Sequence, residues 1–232
     1  MTAADRPSLG LGRATERLRV GVLISGRGSN LQALIDAAAG PDYPAEIRLV
    51  ISNRSDAPGL ERAARAGIAR RVIAFNSRER FAAEAHHALR GAGIQIVALA
   101  GFMRLLDAAF VEGWRDRMVN IHPSLLPAFP GLNAQRQALA AGVKFSGCTV
   151  HFVRPEMDTG PIIAQAAVPV LPDDDEAALA SRILAAEHQI YPFALRLLAE
   201  GRVTVANDRI RVAGADAPNA ALFNPWVASE RG

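Results

Sequence analysis

Apolar residues fall along this chain in two alternating rhythms. Short, nearly solid apolar runs occur at 18–25, 47–52, 71–74, 94–100 and 118–121. A half-exposed strand would alternate apolar with polar, so solid runs of this length read as strands buried on both faces. Between them lie stretches with apolar residues three or four apart. These cover 31–39, closed by Gly40 and Pro41, then 58–66, closed by Gly67, then a helix reaching about Arg90, and 107–114. Asn76 and Glu79 resemble a capping box at the start of the third helix. Strand and helix in strict turn predict βαβ units. The expected fold is therefore α/β, an open, mostly parallel, twisted sheet of Rossmann type with helices on both faces.

The second half has a different rhythm. A proline-rich loop spans 122–130, and a helix is expected over 134–141. Strands at 148–153 and 162–168 are joined by a loop carrying Asp158, Thr159, Gly160 and Pro161. The longest helix covers 176–200, with Asp175 as its cap, and a hairpin follows at 202–212. No internal repeat or linker interrupts the pattern, so 18–213 reads as a single domain. Residues 1–17 are polar and aperiodic and read as a flexible extension, and 214–232 read as a tail.

Composition narrows the function classes. With 232 residues, 50% hydrophobic and 21% charged, the chain is an ordinary globular one, which excludes a disordered, collagenous or disulfide-built protein. The net charge is only +3. Lys144 is the single lysine, and the arginines are scattered rather than clustered, which argues against nucleic acid and suits small anionic ligands. No apolar run approaches the ~18–20 residues that span a bilayer. One cysteine, Cys148, can build neither a disulfide framework nor a Cys zinc site. Residues 1–17 lack the apolar core of a secretory signal, so a cytoplasmic setting is expected.

Three places carry candidate chemistry. Ser25, Gly26, Arg27, Gly28, Ser29 and Asn30 follow the first strand and open the first helix. Unpaired amides at a helix N-terminus attract a phosphate, and glycines let it come close. Leu31 stands where a dinucleotide fingerprint has its third glycine, and no lysine follows as in a P-loop. An ordinary tight turn capped by Ser29 or Asn30 is the other reading. Asn120 and His122 stand two apart at the carboxyl end of a strand, so they project to the same side. An amide donor beside an imidazole is what a developing oxyanion needs, and a structural histidine next to a turn is the alternative. Asp158 either bonds its own turn backbone or orients an imidazole and favours its charged form. Nothing in the sequence places it beside His122. His86 and His87 are adjacent and point apart, neither HExxH nor GxSxG occurs, and His122, His151 and Asp158 match no metal-ligand spacing.

Taken together, residues 22–33, 98–106, 120–131, 147–153, 157–165 and 187–192 resemble, in order, the folate-dependent phosphoribosylglycinamide formyltransferases. The likeness covers about residues 19–205. It implies transfer of a formyl group from 10-formyltetrahydrofolate to the amine of glycinamide ribonucleotide in purine biosynthesis, without a metal. By the resemblance, Gly28, Ser29 and Asn30 hold the ribonucleotide phosphate and Glu187 meets its amine end. Met103, Arg104, Leu105 and Leu106 line the folate pocket, completed by Asn120 and by Arg154, Pro155, Glu156, Met157 and Asp158. Arg78 matches a folate-contacting arginine. Asn120, His122 and Asp158 match the catalytic trio.

The partners expected are these two small molecules, with no nucleic acid and no membrane, for a monomer or homodimer. Asn133 and Gln135 depart from the pattern, where the family often has His or Asp and then His. Related possibilities are a methionyl-tRNA formyltransferase, which adds an OB-like domain, and a formyltetrahydrofolate hydrolase, which uses water and adds a regulatory domain. Neither addition is expected here. A non-catalytic anion-binding α/β module would keep the glycine loop but has no need of the trio.

Overall fold

The structure is a computed structural model and describes residues 16–216 and 221–224. The chain runs β1 (Leu18–Ile24), α1 (Ser29–Ala38), β2 (Ala45–Ser52), α2 (Gly59–Arg65), β3 (Ala69–Val72), α3 (Arg78–Gly91), β4 (Ile96–Leu99), α4 (Ala108–Gly113) and β5 (Met118–His122). It continues through α5 (Ala134–Ala140), β6 (Phe145–Phe152), β7 (Ile162–Pro169), α6 (Glu176–Ala199), β8 (Val203–Ala206) and β9 (Arg209–Val212). Most of the extension expected over 1–17, and much of the tail, lie outside the described residues. Arg17 already belongs to the folded body, since its guanidinium donates to the carbonyls of Ala38 and, at 2.6 Å, Ala45.

The main sheet has the order β3-β2-β1-β4-β5-β6-β7, and β8 and β9 form a separate hairpin. Strands β1 to β5 pair in parallel, whereas β6 and β7 pair antiparallel. The solid apolar runs fit this, because β1 buries Val20, Val22 and Ile24 against one core and Leu23 against the other. Gly21 is required there, as a Cβ would lie 2.5 Å from Leu89 Cδ2. Its absence lets α3 pack close to the strand. The edge strand β3 is exposed and carries Arg70 and Arg71, charges that discourage edge-to-edge pairing.

One local expectation is corrected. Asn76 does not cap α3; Ser77 does, accepting the amide of Arg80 at 3.2 Å, so no capping box with Glu79 forms. Ser77 has the extended backbone of a cap, φ −145° and ψ 164°. Asp107 and Asp175 cap α4 and α6 through their carboxylates.

The topology positions the site. Strand order runs outward from β1 in one direction through β2 and β3, and in the other through β4 and β5. The connections that leave the carboxyl ends of β1 and β4 therefore run to opposite sides, and open α/β sheets bind ligands in the crevice between such connections. The crevice is tied across its floor, since Ser25 N donates to Gly101 O at 3.2 Å and Met103 N donates to Ser25 Oγ at 2.9 Å.

Candidate active site

The glycine loop ends β1. Gly28 is the N-cap of α1, with φ +71°, and no side chain caps the helix. The first-turn amides therefore have no side-chain acceptor, and neither Ser29 nor Asn30 plays the capping part that a plain turn would give it. A Cβ on Gly28 would lie 2.7 Å from Gly59 Cα, so only glycine lets the loop rest against the start of α2. Arg62 stiffens the same loop by donating Nε to Arg27 O at 2.9 Å and Nη1 to Gln32 Oε1 at 3.2 Å. A cavity of about 520 Å³ lies along the outer face of α1, lined by Gln32, Asp36, Arg62, His188 and Pro192 and reaching the glycine loop only at Ser29.

Glu187 faces this loop from α6. The buried stripe of that helix runs Leu179, Ile183, Glu187, Ile190, Tyr191, Ala194 and Leu198, so a carboxylate sits where the pattern calls for an apolar residue. Glu187 is 6% exposed and accepts one hydrogen bond, from Asn30 Nδ2 at 2.7 Å. Burial pushes its pKa up, and the Asn30 amide opposes the shift. Asn30 Oδ1 is buried with no partner among the described residues. A buried carboxylate and an orphaned carbonyl oxygen call for donors such as an amine or hydroxyls.

Two strands away, roughly 10 Å at the usual strand spacing, β5 supplies Asn120 and His122. Opposite them on antiparallel β6 stand His151 and Thr149. Directly opposed residues on one sheet face meet, and Asn120 Nδ2 lies 3.3 Å from His151 Nε2. Thr149 Oγ1 donates to Ser124 O at 2.7 Å and accepts from Leu126 N at 3.0 Å, pinning the proline-rich loop. That loop turns back so that Phe129 O lies 3.0 Å from His122 Nε2.

Asp158 reaches the same point from the loop between β6 and β7. Its Oδ2 is 3.4 Å from His122 Nδ1 and accepts from Gly131 N at 2.8 Å, while its Oδ1 is 3.8 Å from His151 Nε2. The backbone at Asp158 is left-handed, φ +56°. Gly160 makes this turn possible, because a Cβ there would fall 1.7 Å from Phe152 O. Each ring nitrogen of His122 thus faces an acceptor, and the two N–H groups of an imidazolium satisfy both. Partners 38 and 54 positions away also converge on Arg154, which donates to Asp116 at 2.7 Å and to Asp208 at 2.8 Å, clamping this loop to the hairpin. Its guanidinium is therefore engaged away from the trio.

The remaining residues expected around folate are distributed as follows. Met103, Leu105 and Met157 are exposed, at 64%, 53% and 55%. Arg104 lies over the Phe75 ring at 5.5 Å, and Leu106 is half-buried against the core that contains Phe81. Arg78 is the exposed first residue of α3, and Pro155 and Glu156 are exposed in the Asp158 loop. A second cavity, about 580 Å³, is walled by residues 157–162, including Met157 and Asp158, by the proline-rich loop and by the hairpin. Asn133 begins α5 in the left-handed region, φ 59°, which asparagine tolerates. Sequence reasoning weighed His151 only as a metal ligand beside His122 and Asp158, and missed its place beside Asn120 and the backbone groups at Phe129 and Gly131. The available signal was only that His151 shares a strand face with Thr149, and their meeting with β5 depends on register.

An open α/β sheet that sets a glycine cradle at the end of β1 and an Asn–His–Asp cluster two strands away at the end of β5 has the groups that a small-molecule enzyme acting on a carbonyl beside an anion would use. Residues 18–195 match the Formyl transferase family, and the chain belongs to it. It is 48% identical over 189 residues to the phosphoribosylglycinamide formyltransferase of Escherichia coli, covering 80% of this chain and 89% of that one. It is 55% identical over 195 residues to the trifunctional purine biosynthetic protein adenosine-3 of Drosophila melanogaster, covering 82% of this chain but spanning only 14% of that protein. Among solved structures, glycinamide ribonucleotide transformylase 1 from Symbiobacterium toebii superposes with a TM-score of 0.82 at 52% identity, covering 84% of this chain and 94% of that one. A formyltetrahydrofolate deformylase from Pseudomonas syringae pv. tomato superposes with a TM-score of 0.81 at 27% identity, covering 85% of this chain and 66% of that one.

Proposed function

We propose that this chain transfers the formyl group of 10-formyltetrahydrofolate to the amine of glycinamide ribonucleotide, a step of de novo purine biosynthesis. The observation that carries the reading is the meeting of His122 with Asp158, 3.4 Å apart, on the strand end that also bears Asn120. The high identity to the E. coli formyltransferase supports the choice of substrates.

In this reading the uncapped first turn of α1, at Gly28, Ser29 and Asn30, holds the phosphate, and buried Glu187 receives the amine end. Exposed Met103, Leu105 and Met157 offer apolar surface that a pterin would cover, with Arg78, Arg104, Leu106 and the 154–158 backbone around it. The ribonucleotide amine attacks the formyl carbon and the carbonyl π pair moves to oxygen. His122 and Asn120 donate to that oxyanion, the formyl oxygen taking over the N–H that now meets Phe129 O. When the oxyanion collapses, the bond to the folate nitrogen breaks and the proton lost by the amine ends on that nitrogen. Asp158 holds the imidazolium in place and relays the proton through water. Each oxyanion donor is worth about 10²–10³ in kcat, and aligning two substrates supplies up to ~7–11 kcal/mol more. The setting proposed is cytoplasmic. Among the described residues no helix is long and apolar enough to cross a membrane.

The hydrolase reading is kept because the deformylase shares the fold. The glycine cradle and Glu187 favour a phosphorylated amine as acceptor over water. The test is to mix the protein with a 10-formyl folate analogue, with and without glycinamide ribonucleotide, and follow folate absorbance. Deformylation only with the ribonucleotide is expected. Deformylation at the same rate without it would establish the hydrolase instead.

A further inference from the structure

We propose that His151 is a positioning residue, locking the Asn120 amide so that an N–H, not the carbonyl oxygen, faces the reacting formyl group. This rests on the formyl-transfer reading above. His151 is 2% exposed, on β6 directly across the ladder from Asn120. Its Nδ1 lies 2.9 Å from the carbonyl oxygen of Phe152. A carbonyl only accepts, so Nδ1 carries a hydrogen. Nε2 of the neutral ring is then a bare acceptor, and it lies 3.3 Å from Asn120 Nδ2.

The neutral ring is the favoured one. Burial pushes the His151 pKa down, and the cationic forms of His122 and Arg154 push the same way. The Phe152 carbonyl and Asp158, whose Oδ1 is 3.8 Å from Nε2, oppose this without reversing it.

A side-chain amide is nearly symmetric in shape, so its partners alone decide which end points where. A bare Nε2 accepts the NH₂ end. A flipped Asn120 would set its oxygen against the imidazole lone pair. The second N–H of Nδ2 has no partner among the described residues and is left for the formyl oxygen. Because the pair spans two hydrogen-bonded strands rather than a loop, the ladder holds it in place before substrate arrives.

The test is a mutant cycle with the whole chain. His151→Phe removes the acceptor. It should lower kcat about ten- to a hundredfold, short of the full loss of an oxyanion donor, with both KM values within about threefold. In an Asn120→Ala background the same change should cost under about twofold, because the group it orients is gone. His151→Gln, whose side-chain oxygen can accept, should recover part of the loss. An unchanged kcat, or an equal loss in the Asn120→Ala background, overturns the proposal. Ring ¹⁵N shifts of the wild-type protein decide it independently of any variant's folding. A protonated Nδ1 and bare Nε2 are expected near neutral pH, and a protonated Nε2 overturns it. If the wild type transfers no formyl group to the ribonucleotide, the functional reading falls, while the ring shifts still report on His151.

Discussion

Asp158→Asn is the sharpest test of the trio. The two side chains have the same size and shape, and asparagine tolerates the left-handed backbone at φ +56°. One side-chain oxygen survives to accept from Gly131 N, now at 2.8 Å. That oxygen is also the one 3.4 Å from His122 Nδ1, so the NH₂ takes the Oδ1 position, 3.8 Å from His151 Nε2. His122 Nδ1 then faces a neutral amide oxygen in place of a carboxylate, with Phe129 O still at Nε2. The variant therefore loses the carboxylate that pairs with imidazolium while the fold around it stays in place.

Loss of an oxyanion donor costs about 2.7–4 kcal/mol, or 10²–10³ in rate. The same exchange in a Ser-His-Asp triad costs ~10⁴ where it also alters the tautomer, an upper bound here. We expect kcat to fall by about 10²–10⁴, with both KM values within about threefold and the melting temperature close to wild type. Steady-state folate absorbance and a circular-dichroism melt measure these. A kcat within tenfold of wild type, from a folded variant, would refute the role given to Asp158.

Three further outcomes follow from the geometry. Glu187 has a raised pKa through burial. The folded chain therefore binds its proton more tightly than the unfolded chain, whose value is ~4.3, and stability is lost as pH rises through the folded pKa. Glu187→Gln should raise the melting temperature near neutral pH, have little effect at about pH 4, and weaken ribonucleotide binding by calorimetry. An unchanged melting temperature at neutral pH would contradict this. Gly160→Ala would drive a Cβ to 1.7 Å from Phe152 O, backbone that cannot yield. A displacement near 1 Å of the loop holding Asp158 should cost about 10²-fold in kcat, and near-normal turnover would disprove the constraint. His151 has a depressed pKa, so below about 6.5 the unfolded chain binds the extra proton and stability falls with pH. Urea midpoints should show a shallower decline between about pH 6.5 and 5 for His151→Gln, and an identical slope would exclude His151 as a source.

Much of the fold follows from local rules. The solid apolar runs at β1, β2 and β4 are what parallel strands buried on two faces require, and helical spacing marks α1 and α6 down to the Asp175 cap. The cap of α3 is Ser77 and not Asn76; Asn and Ser are comparable caps, and it is the Ser77 hydroxyl that reaches the Arg80 amide. The pairing of Asn120 with His122 was equally legible, because the strand period places residues two apart on one side.

The rest of the site depends on which distant segments become neighbours. His151 meets Asn120 only through the antiparallel register of β5 and β6, and Asp158 meets His122 only because Gly160 lets a loop press against Phe152 O. Glu187 stood in the sequence as a charge within an apolar stripe, but only the packing of α6 on α1 gave it Asn30 as a partner. Periodicity and capping act over a few residues and are written into each stretch of chain. Strand order, register and loop closure are set by the packing of the whole, and it is these that bring the reacting groups within hydrogen-bonding reach.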